Sequence, residues 1–184
     1  MHLDMNARRN LELTETMREK NKKGSLLSVL DETKTAMGAR TLRKWVEQPL
    51  LSAAEICKRL DAVEELKNDL FLREEIKDIL RTMFDFERIM GRVVYQTANA
   101  RELSMLKNSI ENLPLLKRTL GRCKSGYLQE IYEKLDPLEN IHDLINQAIV
   151  EDPPFSVREG GMIKPGYSDE LDTYTKAKTE GKAW

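Results

Sequence analysis

Much of what a catalytic or nucleic-acid-gripping domain is made of is scarce in this sequence. Two cysteines, Cys57 and Cys123, stand far apart and in no paired spacing. A disulfide framework needs more of them, and a zinc site needs them in pairs. Both are therefore read as free, buried thiols in a reducing compartment. Only 6% of the residues are aromatic, which leaves little surface for stacking bases. Thirty basic residues against 31 acidic ones leave a formal net charge of −1. A domain that holds DNA unaided usually carries a basic excess, because phosphate neutralisation supplies most non-specific affinity. Unbroken apolar runs are only a few residues long and the opening MHLDMNARRN has no apolar core. A membrane span and a secretory signal are both excluded on that pattern.

Nucleotide-binding chemistry is missing too. A P-loop needs two glycines five apart followed by Lys and Ser or Thr, so that backbone amides and a lysine cradle phosphate. Gly121 and Gly126 have the spacing but precede Tyr127-Leu128; Gly161 and Gly166 have it but precede Tyr167-Ser168. Histidine is limited to His2 and His142. His142 stands beside Asp143, an acid–base pair in outline only, since catalysis also needs a cleft and a third partner. A surface histidine beside an aspartate is the preferred reading. The carboxylate pairs Glu64-Glu65 and Glu74-Glu75 have lysines nearby and read as solvated helix faces.

What is present is helix. Hydrophobic residues make up 40% and charged residues 33% of a 184-residue chain with little Gly or Pro. That suits one helix-rich domain with an appendage, long enough to bury a core. The stretch Gly24–Leu50 looks like the packing centre: a dense apolar helix, a turn, then a helix from Ala36 stopped by Pro49. Met37, Leu42, Trp45 and Val46 share a face there, with Trp45 read as core. Arg43 and Glu47 are placed to pair at four-residue spacing.

Further helices follow in order. Ser52 and Glu55 have capping-box spacing ahead of Ile56, Leu60, Val63 and Leu66. Asn68-Asp69 breaks the run and can cap Leu72, Ile76, Ile79, Leu80 and Met83, a wide apolar stripe. Asp85 precedes Phe86, Ile89, Met90, Val93 and Val94. Asn99 and Glu102 repeat the capping box before Leu103, Leu106, Ile110 and Leu113. Pro114 restarts the chain into Leu115, Leu116 and Leu120, and Leu128, Ile131, Tyr132 and Leu135 make one more helix. Asp136-Pro137 reads as another restart, with Pro137 at the first helical position, before Leu138, Ile141, Leu144, Ile145, Ala148 and Ile149.

Strand character is expected in two places. Leu3, Met5, Leu11 and Leu13 alternate weakly near the N-terminus. Phe155–Arg158 and Met162–Lys164 read as short extended pieces around Gly160-Gly161. Ser168 then caps a polar last helix marked by Leu171, Tyr174 and Ala177. The expected fold class is thus mainly α: a multi-helix bundle with short strand segments near the N-terminus and at 155–164. Residues 1–24 form a lead-in and basic loop, 25–167 the helical core, and 168–184 a helix leading away. A polar helix without a clear end reads as one cut inside a longer protein.

The motifs also occur in a familiar order. RRNLELTE (8–15), GSLLSVLDETKTAMGARTLRKWVEQPL (24–50), RLDAVEEL (59–66), DFERIMGRV (85–93), NARELSMLK (99–107) and REGGMIKPGYSDELD (158–172) cover nearly the whole chain. Together they resemble the core, or lever, region (domain III) of the bacterial MutS family of DNA mismatch repair proteins. Two departures are visible: Ala7 where the family usually has threonine, and Ala100-Arg101-Glu102 where it usually has proline-arginine-aspartate.

The resemblance implies a non-catalytic segment linking an ATPase domain to a DNA clamp, with 168–184 the start of a lever helix toward that clamp. The full-length protein would be a cytoplasmic, nucleoid-associated homodimer that binds mismatched duplex DNA. It would use ATP and Mg²⁺ and work with other mismatch repair proteins. The Phe-x-Glu mismatch reader and the Walker motifs are absent from this stretch. Arg40, Arg43, Lys44, Arg88, Arg92 and Arg101 are the candidate DNA or interdomain contacts. For Arg88, Arg92 and Arg101 the alternative is intramolecular ion pairs, for example with Glu87 or Glu102; for the whole set it is a non-specific duplex-binding module built on that Arg/Lys stripe.

Overall fold

The computed structural model describes residues 4–181, with side chains described as far as Lys178. The described residues are mainly helical. The helices are α1 (Met5–Asn10), α2 (Leu26–Leu30), α3 (Ala36–Glu47), α4 (Ala53–Asn68), α5 (Leu70–Arg81) and α6 (Phe86–Val94). They continue with α7 (Ala100–Ile110), α8 (Leu113–Leu120), α9 (Gly126–Lys134), α10 (Glu139–Ala148) and α11 (Asp169–Gly181). None is long and apolar enough to cross a membrane. The chain divides into two compact units: one takes the residues up to Glu87 with Asn112–Pro137, the other Arg88–Glu111 with the residues from Leu138 onward.

The core of the first unit is built from the chain's broadest Leu/Ile faces. Ala62 of α4, Leu72 and Ile79 of α5, Leu116 and Leu120 of α8, Cys123 of the loop after α8 and Leu128 of α9 form one buried cluster, flanked by Leu66, Ile76, Leu80 and Met83. Leu72 and Ile79 are two turns apart, so one stripe of α5 faces this cluster along its length. Local chemistry starts these helices where the sequence says. Ser52 Oγ accepts from the Glu55 amide at 3.5 Å and Asp69 Oδ1 from the Leu72 amide at 2.9 Å. Pro114 falls in the first turn of α8, where its missing N–H costs nothing.

Polar ties surround the cluster. Lys58 of α4 reaches Glu130 of α9 at 2.7 Å. Glu75 of α5 accepts from Thr119 at 2.9 Å and from Arg122 at 2.7 Å. Glu65 accepts from the amides of Lys124 and Ser125 at 2.5 and 2.8 Å, and so ties the loop that leads into α9 to a distant helix. Glu65 and Glu75 are thus tied to other elements, not spent on solvated faces. Glu74 behaves as expected, pairing with Lys77 at 2.7 Å.

Gly24–Leu50 is not the packing centre. No residue of α3 is buried, and Trp45 stays 37% exposed. Half of the residues of α3 are apolar, as in α5, but α5 has α4 and α8 to bury its face against. Cys57 is exposed and Cys123 buried, so the expectation of two buried thiols holds for one.

The strand segments are corrected in both places. Asp4 Oδ1 accepts from the Ala7 amide at 2.6 Å and starts a helix, α1, across part of the alternating stretch. A two-residue alternation needs a partner strand to satisfy its amides. Leu3 lies outside the described residues; among those described no strand pairs with the stretch, and Leu11 remains 61% exposed. At 155–164 the chain forms a 3-10 turn, Val157–Glu159, with a capping box between Ser156 and Glu159. Its only ladder element among the described residues is a single antiparallel bridge, Ile149 to Ile163. Gly160 and Gly161 both take positive φ, 73° and 72°, which prevents a continuous strand there.

In the second unit α7 packs along α10. Ala100, Leu106 and Ile110 are buried on one helix, Ile145 and Ala148 on the other. Asn99 forms the full capping box: its Oδ1 accepts from the Glu102 amide at 2.9 Å, and Glu102 Oε2 accepts from the Asn99 amide at 3.0 Å. Pro137 does not open α10. Leu138 takes a left-handed conformation, φ 55°, as the residue before the helix, and Glu139 is the first helical residue. Ser168 caps α11 through the Leu171 amide at 3.4 Å. Asp172 accepts from the Gly166 amide at 2.7 Å and closes the Pro165-Gly166 turn onto the helix.

Candidate functional site

The candidate cations are mostly engaged inside their own unit. On α3, Arg40 spreads its guanidinium over two carboxylates. Nη1 and Nη2 donate to Asp85 at 2.9 and 2.7 Å, and Nε donates to Glu87 at 2.8 Å. Asp85 first, then Glu87, pushes this guanidinium further above its ordinary value. Arg43 Nε donates to Glu47 at 2.9 Å, the pair the four-residue spacing predicts. Lys44 follows it on the same helix. Trp45 carries the guanidinium of Arg59, from α4, 3.7 Å above its ring centroid, close enough for a cation–π contact.

The other three lie in the second unit. Arg88 and Arg92 are on α6. Arg92 Nη1 meets Glu102 at 2.7 Å while its Nη2 donates to the Thr97 carbonyl at 2.8 Å. It thereby buttresses the capping box of α7. Arg101 Nε donates to the Pro153 carbonyl at 2.9 Å, with its guanidinium 5.8 Å from the Phe155 ring. Of the two ion-pair partners expected for Arg88, Arg92 and Arg101, Glu102 goes to Arg92, whereas Glu87 goes to Arg40 instead.

His142 sits between two acids. Nδ1 is 3.0 Å from Asp143 and Nε2 is 3.3 Å from Glu111, the residue that ends α7. Asp143 first, opposed by partial burial and helped by Glu111, holds the imidazole above its ordinary pKa. Two carboxylates on one imidazole make a bridge between α7 and α10. The arrangement offers no nucleophile for the imidazole to activate.

The glycine-spaced loop 121–126 is filled from within. A phosphate cradle needs free amides at a helix N-terminus, and the amides of Lys124 and Ser125 are spent on Glu65. Burial raises the Glu65 carboxyl; the hydrogen bonds from Ser125 and Lys124 outweigh it and hold the group below the usual carboxylate range. An anion of the chain's own therefore occupies this slot, and the residues here do not fit ATP. Among the described residues no group of His, Cys, Asp and Glu could hold a metal ion. An open groove of about 440 Å³ runs between the 157–165 turn and α11, lined chiefly by Val150, Val157, Met162, Ile163 and Leu171. Its one carboxylate, Asp172, is committed to Gly166.

The sequence reading missed two acids and one arginine: Glu65, Glu75 and the two-carboxylate grip of Arg40. Each partner lies between 44 and 60 residues away in sequence, so no local spacing signals the contact.

Comparison with known proteins places this helical segment. Residues 6–181 match the family MutS domain III. The chain is 51% identical over 184 residues to the DNA mismatch repair protein MutS of Lachnoclostridium phytofermentans, covering all of this chain and 20% of that protein. It is 50% identical to the proteins of that name from Ruminiclostridium cellulolyticum and Acetivibrio thermocellus, again over its full length and over 21% of theirs. It thus spans about a fifth of the relatives it matches. The order of motifs, the helical architecture and these matches agree: the chain belongs to the MutS domain III family.

Proposed function

We propose that this chain is a non-catalytic core segment of a DNA mismatch repair protein, joining an ATPase domain to a DNA clamp and passing nucleotide-dependent movement between them. The observation that carries the reading is the commitment of its candidate cations. Arg40, Arg43, Arg92 and Arg101 hold carboxylates or a carbonyl of their own unit, so their charge serves internal geometry. A closely packed helical body suits such a role because it repacks between discrete arrangements. Large exposed apolar side chains in each unit, Val29, Leu51 and Phe71 in one and Val94 and Tyr95 in the other, suit docking against other domains.

In this reading residues 25–167 form the core, and α11 starts a lever toward the clamp. The whole protein binds mismatched duplex DNA as a dimer, with ATP and Mg²⁺ held by domains outside this segment. The test is titration of the 184-residue chain with matched and mismatched duplex at about 50 and 200 mM salt, alongside an ATPase assay. No submicromolar binding and no hydrolysis are expected. Tight duplex binding that weakens steeply with salt, and that loses its salt dependence when Arg40, Arg43, Lys44, Arg88, Arg92 and Arg101 are replaced by alanine, would establish the duplex-binding module instead.

A further inference from the structure

Helix α3 is attached to its unit in an unusual way. It buries no residue fully, and its Met37, Leu42 and Val46 are half-buried, so the apolar term that fixes most helices is smaller here. Polar contacts do much of the holding. The Arg40 fork spans Asp85 and Glu87, which lie 45 and 47 residues further along the chain. The Arg59 guanidinium covers Trp45. Asp85 and Glu87 flank Phe86 at the beginning of α6, so both carboxylates can reach one planar guanidinium. Asp85 is the better shielded, with 20% of its side chain exposed against 65% for Glu87. The grip falls just before the chain passes from the first unit to the second, between Glu87 and Arg88.

We propose that Arg40 is a latch: its fork on Asp85 and Glu87 holds α3 in place, and releasing the fork lets α3 open alone while the cluster of α4, α5, α8 and α9 stays closed. Two physical points support this. Isolated surface ion pairs contribute little, but a bidentate guanidinium in a network of two acids is the geometry in which they do. Segments with few buried apolar contacts open by local rather than global unfolding. The residue types are also specific. A lysine carries one point charge and no planar fork, so it cannot hold Asp85 and Glu87 in the same way. The latch places a reversible joint in the chain that does not depend on what the segment docks against.

Amide hydrogen exchange followed by peptide mass spectrometry tests the latch in the whole chain. Arg40→Ala should speed exchange across 36–47 by about tenfold, with 70–81 and 113–120 unchanged. Arg40→Lys should fall between the wild type and Arg40→Ala. Asp85→Asn, which keeps one acceptor oxygen but loses the charge, serves if Arg40→Ala does not fold, and should speed the same peptides severalfold. In the wild-type chain, raising salt from about 0.1 to 1 M should accelerate 36–47 selectively, since the pair is partly exposed and open to screening. Unchanged exchange of 36–47 in the variants overturns the proposal. So does an increase shared equally by 70–81 and 113–120, because the fork would then support the whole unit.

Discussion

Helices α3 and α5 are both twelve residues long, both capped by an oxygen side chain, Thr35 and Asp69, and both amphipathic. Their fates differ. α5 buries Leu72 and Ile79 to 3% and 5% exposure in a cluster shared with α4, α8 and α9. α3 buries no residue fully and is tied by Arg40 and Trp45. Amphipathicity marks a face, while burial needs a partner, and the partners of α5 are α4 beside it and residues 113–134, far along the chain. One region is therefore held by water exclusion and the other largely by charge. The glycine of α3 serves the helix's own cap. A Cβ at Gly38 would lie 3.0 Å from Thr35 Oγ1, the atom that caps the helix.

The largest expected effect breaks this comparison most easily. Leu72→Ala should destabilise the first unit by about 2–5 kcal/mol, the range for a truncated core leucine. Leu42→Ala on α3, where the side chain is only half-buried, should cost about 1 kcal/mol or less. Urea midpoints at constant slope measure both. Equal losses would make α3 part of the core.

Next in size is the Glu65 tie. Glu65→Ala strands the Lys124 and Ser125 amides and should cost about 1–3 kcal/mol, as loss of hydrogen bonds to a charged group does. Its sign with pH is fixed by direction. A carboxyl held below its unfolded value contributes fully above that value and loses the contribution as pH falls through the folded one. Glu130, held to about 2 by Lys134 and then Lys58, adds to the same acid-side loss. Glu65→Gln should flatten the stability profile below about pH 5 without changing it near neutrality beyond the weakened bonds to the Lys124 and Ser125 amides.

The smallest effect belongs to the second unit. His142 is held above its ordinary value. Its contribution is therefore complete below about pH 6.5 and fades as pH rises through the raised folded value. His142→Ala should remove that slope on the alkaline side and leave the acid side unchanged. A slope that persists in the variant would assign it to other groups.

Local chemistry was the legible part of this molecule. Asp69, Asn99 and Ser168 begin helices as their spacing predicts, and Arg43 meets Glu47, because capping and four-residue pairing are settled within one turn. The strand expectation failed for a physical reason. Alternation at Leu11 and Leu13 names two faces, but strand identity rests on a neighbour to pair with, and Asp4 offered α1 a cap first. Register between distant elements was equally hidden. Nothing near Glu65 announces the amides of Lys124 and Ser125, and nothing near Arg40 announces Asp85. The family, by contrast, was legible from motif order alone, since relatives share the whole succession and not one contact.

Native-state hydrogen exchange of the wild-type chain at low denaturant tests most directly whether water exclusion and charge hold different parts of one unit. The account predicts that amides of 70–81 and 113–120 exchange only through global unfolding, with a steep denaturant dependence, while those of 36–47 exchange faster and nearly independently of denaturant. Identical protection and identical denaturant slopes for all three segments would contradict it.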